Sequence, residues 1–207
     1  MSRCQTIYLL FLLRNYNQMK INKQLILSLL LMVFVSAIYR ILPNRPMGFA
    51  PQMAIGLFSG VLFVKNKKWA FVLPLLSMLI SDSLYQLLYV NGLTSIMGFY
   101  EGQWINYLLF VGITCFGFLI NSKKVFGIVL AALAAPTIYF IISNFLVWAS
   151  NKGFGLNRPQ TLSGLYLCYQ DALPFYYNSI IATIVFSAVL FGTYYILQNW
   201  LSKKLPS

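Results

Sequence analysis

Only three carboxylates, Asp82, Glu101 and Asp171, stand in this chain of 207 residues, and there is no histidine. Missing histidine removes the usual general base, the commonest metal ligand and the HExxH arrangement of intramembrane proteases. Asp82 is the sharpest chemical residue, because Ser81-Asp82-Ser83 interrupts a long apolar run. An ionisable group there is costly and faces a bundle interior or a watery cavity. It can serve as a ligand or ion contact in an outward cavity. Equally, its neighbouring serines, or an arginine near the interface, can satisfy it. Asn144 and Trp148, one turn apart, pose a similar choice. The amide can bond a substrate or join two helices, and the indole can stack on a ligand or anchor at the membrane interface. Arg40 and Arg45 flank a Pro43-Asn44 turn, where they can hold an anionic group or snorkel to lipid phosphates. These five residues form the candidate substrate site. No nucleophile is paired with a base, so no catalytic residue is assigned and an enzyme is not expected. Cys4, Cys115 and Cys168 lack metal-ligand spacing, so neither a metal nor a cofactor is expected.

The elements that must carry these residues are helices in lipid. The chain is 59% hydrophobic and 9% charged, against roughly a quarter charged in an ordinary soluble domain. Eighteen charged side chains, 15 basic and 3 acidic, cannot cover a water-facing surface, and a small domain has too little interior to hide the apolar excess. A net charge of +12 raises nucleic-acid binding, but the cations sit in short groups between apolar runs rather than on one soluble face. Nucleic acid is therefore not an expected partner, and the lipid bilayer is. About 20 apolar residues cross a bilayer as a helix. Six stretches qualify, at residues 24–42, 47–64, 69–89, 103–120, 125–149 and 179–201. The expected fold is all-α, a polytopic bundle of about six transmembrane helices forming a single domain over residues 19–207.

Residues 1–18 stand apart. Their apolar part is too short to span, and no small-residue cleavage site follows Arg14. Met19-Lys20-Ile21-Asn22-Lys23 puts a basic flank directly before an apolar helix, so the expected start is Met19 and residues 1–18 an upstream extension.

Cation placement sets orientation. With the N-terminus inside, Arg3, Arg14, Lys20, Lys23, Lys65, Lys67, Lys68, Lys123, Lys124, Lys203 and Lys204 fall on the cytoplasmic side, and only Arg40, Arg45, Lys152 and Arg158 outside. Eleven against four, or nine against four without the extension, keeps both termini cytoplasmic. Asp82 lies 13 residues into the third span, about 20 Å from its inner end at 1.5 Å per residue. All three acids then share the outer half.

Small residues recur at four-residue spacing: Ala50 and Ala54, Gly56 and Gly60, then Gly127, Ala131 and Ala135. They let backbones approach closely, inside the bundle by default. Pro74 and Pro136 are expected to kink spans three and five. Between residues 150 and 178 lies a long outer segment whose apolar residues repeat at helical spacing from Leu162 to Leu173, with Thr161 as a cap. It predicts a short amphipathic helix over 161–174, ending near Pro174 and lying on the outer leaflet or over a cavity as a lid.

Several longer stretches resemble a known family. They are Arg40-Ile-Leu-Pro-Asn-Arg-Pro-Met-Gly-Phe-Ala-Pro-Gln-Met-Ala-Ile-Gly-Leu-Phe-Ser-Gly60 and Lys68-Trp-Ala-Phe-Val-Leu-Pro-Leu-Leu-Ser-Met-Leu-Ile-Ser-Asp82. Later pieces are Ser143-Asn144-Phe145, Val147-Trp148, Thr161-Leu-Ser-Gly-Leu, Cys168-Tyr169, Ala172-Leu-Pro-Phe and Asn178. Together they resemble a family of uncharacterised bacterial six-helix membrane proteins. That family is in turn similar to the substrate-binding S components of energy-coupling-factor (ECF) transporters, chiefly in the hairpin where Pro51, Ala54, Gly56 and Gly60 precede the span bearing Asp82. The resemblance implies a multi-pass protein of the bacterial inner membrane that captures a small polar solute from outside. It also implies a transmembrane coupling subunit and ATPases as partners. Span one departs from the S-component pattern, since Ser28, Met32, Ser36 and Arg40 give no pair of small residues for docking. A structural or assembly membrane protein without a small ligand is the alternative expectation.

Overall fold

The computed structural model describes residues 23–121, 124–150 and 158–204. The proposed extension at 1–18, the start at Met19, and the cations Lys123 and Lys152 lie outside the described residues. Six helices follow one another: α1 (Lys23–Ile41), α2 (Gln52–Leu62), α3 (Lys67–Val90), α4 (Trp104–Gly117), α5 (Val125–Ser150) and α6 (Leu162–Lys204). No strand occurs among the described residues, and the all-α class stands.

The chain divides into two compact units, residues 1–31 and 32–207. In the first, the described start of α1 leaves Leu27, Leu30 and Leu31 exposed. In the second, α2 is the central element. Every residue from Gln52 to Val61 is buried. Met53 and Leu57 pack with Met78 of α3, Phe110 and Ile113 of α4, and Ala131 and Ala135 of α5. Phe58 and Val61 pack with Ile128 of α5 and Phe191 of α6.

Helix α2 enters this position because glycine brings it against α4. A Cβ on Gly60 would collide with the Thr114 carbonyl oxygen and lie 3.0 Å from Gly117 Cα. One on Gly117 would sit 2.8 Å from the Leu57 carbonyl. The small residues at four-residue spacing in α2 therefore serve internal packing.

Three helices are long and apolar enough to cross a membrane: α3, α5 and the Leu162–Leu197 part of α6. The lengths expected for the second and fourth spans are not reached. Helix α2 has 11 residues and α4 has 14, about 16 and 21 Å at 1.5 Å per residue, against a hydrocarbon layer of about 30 Å. Residues 47–50 form the turn before Pro51, with Gly48 at φ 86°, which shortens α2. Past Gly117 the apolar run continues in i→i+3 bonds, from Phe118 to Cys115, Leu119 to Phe116 and Ile120 to Gly117, a tighter geometry than the α-helix.

Nor does the outer segment form a separate short helix. Helix α6 runs 43 residues with Pro174 inside it. Its first turns lie along α5: Phe140 stacks on Tyr176 at 4.4 Å, the Tyr169 hydroxyl donates to the Ile141 carbonyl, and Thr137 bonds Tyr176. Thr161 does cap it, accepting from the Gly164 N–H at 3.2 Å. Near the proline the α1–α2 turn docks, with Asn178 Nδ2 donating to the Met47 carbonyl and Ser179 Oγ to that of Gly48. Neighbouring elements thus support the helix through Pro174, as packed membrane helices commonly do.

Candidate functional site

The Ser36–Arg40 part of α1 runs parallel to the Ser77–Asp82 part of α3, joined to it by polar rungs one helical turn apart. Ser36 Oγ and Ser77 Oγ meet at 2.8 Å. Four residues further along both helices, Arg40 Nη1 donates to Ser81 Oγ at 2.6 Å and to Asp82 Oδ1. Equal offsets of 41 residues fix the register. Arg40 lies in the last turn of α1, where a cation also complements the helix dipole.

Asp82 is 2% exposed. Its second oxygen accepts from Gln103 Nε2 at 2.6 Å and from the Tyr107 hydroxyl at 2.7 Å. Two donors from the start of α4 and one from α1 therefore surround one carboxylate, the pairing a buried charge requires. The α3–α4 connection folds back over this group. Gly98 packs so closely on α3 that a Cβ would overlap the Asp82 carbonyl oxygen and the Gln86 amide nitrogen. The Phe99 N–H donates to Gln86 Oε1, and Gln103 Nε2 also donates to the Gly98 carbonyl. Desolvation raises the Tyr100 phenol pKa above its ordinary value, and the nearby Asp82 charge raises it further. A second relay leads from Tyr100 through Asn106 to Tyr139, whose hydroxyl donates to Asn106 Oδ1 at 2.8 Å.

Arg40 differs from its partner in accessibility, with 26% of its side chain exposed. Both Nη1 hydrogens are used. Nη2 and Nε make no hydrogen bond among the described residues, and the guanidinium lies 5.7 Å from the Tyr85 ring centroid. Its backbone carbonyl, an orphan acceptor at a helix end, receives the Tyr85 hydroxyl at 2.7 Å and Arg45 Nε at 3.0 Å. Arg45 also donates to the Phe49 and Pro46 carbonyls. Arg45 thus braces the α1–α2 turn, where Asn44 adopts φ 62°.

The structure brings Arg40 and Asp82 together and sets Arg45 beside them. It does not bring Asn144 or Trp148 into this cluster. Asn144 Nδ2 donates to the Phe140 carbonyl of its own helix, and Trp148 Nε1 to the Pro159 carbonyl. Asp171 pairs with Arg158 ahead of and within the first turns of α6. Missed in the sequence were Gln103, Tyr107 and Tyr85, and the inner tier of Ser36, Ser77 and Gln52. Gln52 Nε2 reaches the Ser36 carbonyl and Ser77 Oγ at 3.4 and 3.5 Å, while its buried Oε1 has no partner among the described residues. Polar residues repeating at i, i+4 within apolar helices, Ser36/Arg40, Ser77/Ser81 and Gln103/Tyr107, were the available signal.

A cavity of about 170 Å³ opens elsewhere, between α4 and α5, lined by Leu108, Leu109, Ile113, Phe116, Ile138 and Ile142 among others. It is apolar, and the hydroxyl of its Tyr139 is turned to Asn106. Among the described residues no three Cys, Asp or Glu side chains gather as a metal site would require.

A helical chain with membrane-length apolar helices and a partly buried ion pair beside a helix end has the character of an integral membrane protein. It belongs to a family of unknown function (DUF6580), which matches residues 19–205. No curated protein and no solved structure matches it.

Proposed function

We propose that the chain is an integral membrane protein of the substrate-capture type, similar to an S component, which takes up a small polar solute at the Arg40 end of the α1–α3 pair. One observation carries this. Arg40 is anchored from beneath by Asp82 and Ser81 while its Nη2 and Nε donors have no partner among the described residues, on a side chain that is 26% exposed. Asp82 is buried and both of its oxygens accept from the protein, one from Arg40 and the other from Gln103 and Tyr107, so its role is to position Arg40 rather than to touch the solute. The α3–α4 connection, held by Gln103 and Gly98, covers the Asp82 carboxylate. In this assignment the cluster faces outward, both chain ends lie inside, and a coupling subunit with ATPases drives release. Arg45 supports the site through the Arg40 carbonyl; Asn144 and Trp148 fall outside it.

Thermal-shift screening of the purified protein against water-soluble vitamins, small acids and divalent metals tests the proposal. At least one solute should stabilise the wild type more than Asp82→Ala or Arg40→Lys. Equal responses in all three proteins would refute capture at this site.

A second reading, a structural or assembly membrane protein, draws on the full pairing of Asp82 and on the apolar lining of the α4–α5 cavity. Crosslinked pull-downs separate the two: a capture subunit brings down an ATPase module and an assembly protein does not.

A further inference from the structure

The chemistry of the solute can be taken one step further, on the basis that Arg40 is the capture residue. We infer that the free Nη2–Nε edge of Arg40 is a receptor for an oxyanion, a carboxylate or phosphate group held by two parallel hydrogen bonds. A guanidinium carries five N–H donors in a planar fork, and the edge formed by Nη2 and Nε matches the two oxygens of a carboxylate or phosphate. Here the other edge is committed: both Nη1 hydrogens are spent on Ser81 Oγ and Asp82 Oδ1. That commitment fixes the plane of the fork before any ligand arrives, which lowers the ordering cost of binding. Tyr85 holds it further, by its ring beside the guanidinium and by its hydroxyl on the Arg40 carbonyl. Three N–H groups are left without partners among the described residues, on a side chain 26% exposed. An incoming group must accept rather than donate, because this edge offers no lone pair. Cationic solutes and metal ions are therefore excluded from it.

Two sources supply such an oxyanion, a dissolved solute or the phosphate of a lipid headgroup, and the test separates them. The full chain, labelled with ¹⁵N-arginine, is held in maltoside micelles, which contain no phosphate. Its Nε–H signals are followed during titration with inorganic phosphate, with succinate and with choline, and in parallel with phosphatidylglycerol. The Arg40 signal is identified by its loss in Arg40→Lys. Phosphate or succinate should move it saturably and choline should not. Arg40→Lys keeps a positive charge for Asp82 but loses the fork, so its anion-induced thermal stabilisation should need at least about tenfold more ligand, the scale of one charged hydrogen bond. The double variant Arg40→Gln/Asp82→Asn, neutral at both positions, should remain folded and give no anion response.

A response to free phosphate or succinate upholds both the edge and the capture proposal. Movement with phosphatidylglycerol alone upholds the oxyanion edge and removes capture of a solute. Stabilisation by neutral or cationic solutes, with the Arg40 signal unmoved by any anion, overturns the oxyanion inference and leaves capture standing. Silence towards every solute and lipid overturns both.

Discussion

Replacing Asp82 by alanine is the perturbation whose size follows most directly from the geometry. One oxygen of this carboxylate accepts from Arg40 and the other from Gln103 and Tyr107. Alanine leaves three donors without their acceptor and the guanidinium with Ser81 alone. Removing one partner from a buried ion pair costs roughly 3–5 kcal/mol. Arg40 is partly exposed, at 26%, so water recovers some of the loss, and the low end, about 3 kcal/mol, is expected. For a chain of this size that is a fall in Tm of about 6–12 °C. Tryptophan fluorescence during heating in maltoside micelles measures it. A thermodynamic cycle sharpens the result. Asp82→Asn leaves a partly exposed guanidinium without its counter-charge and Arg40→Gln leaves a lone buried carboxylate, whereas the double variant leaves a neutral hydrogen-bonded pair. The double variant should therefore be more stable than the sum of the singles by at least about 1 kcal/mol, beyond the scatter found for independent sites. Single variants within 1 °C of the wild type, or strict additivity in the cycle, would refute an energetically coupled cluster.

Other expectations follow from packing and titration. Gly60→Ala must push α2 from the Thr114 carbonyl and should cost about 1–3 kcal/mol of thermal stability, while Gly112→Ala, with nothing within 4 Å of the added carbon, should cost none. Gly98→Ala should lift the α3–α4 connection from α3 and speed chymotryptic cleavage at Phe99 and Tyr100; unchanged protection would disprove the close contact. Tyr100 has its folded pKa raised above 10.0, first by desolvation and then by Asp82. The fold thus favours the neutral phenol, and its contribution is fully present below pH 10 and lost as pH rises through the raised folded value. The wild type should lose stability relative to Tyr100→Phe above pH 10, and parallel melting curves would contradict this.

Helical class and membrane character were legible because they rest on composition and run length, which need no tertiary knowledge. Arg40 and Asp82 were each visible as charges that apolar surroundings could not leave alone. A ligand, the neighbouring serines and an arginine all stood open as partners of Asp82, and the parallel register of the Ser36–Arg40 and Ser77–Asp82 segments supplies the arginine. The lengths of α2 and α4 were not legible. An apolar run of 11–18 residues reads alike whether it faces lipid or is buried by neighbours, and it is the tertiary packing, with Gln52 to Val61 all buried and Gly60 set against Thr114, that shows α2 to be an interior helix. Pro174 was misleading for a related reason: proline marks a stop where a helix stands alone, but α5 and the α1–α2 turn support α6 on both sides of it. Gln103 and Tyr107 escaped notice because a carboxylate's partners are set by the fold-back of the connection carrying Gly98, an event of tertiary structure. Asn144 and Trp148 shared an expected depth with Asp82, yet depth along a span does not fix the face a helix turns inward.

Impermeant maleimide labelling of intact cells bears most directly on an outward-facing Arg40–Asp82 cluster. In a chain with Cys4, Cys115 and Cys168 replaced by serine, single cysteines are placed at Ser95, on the connection that covers Asp82, and at Asn66, at the opposite end of α3. Ser95→Cys should react in intact cells, and Asn66→Cys only after lysis. Labelling of Asn66→Cys alone in intact cells, or of both positions from one side, would contradict it.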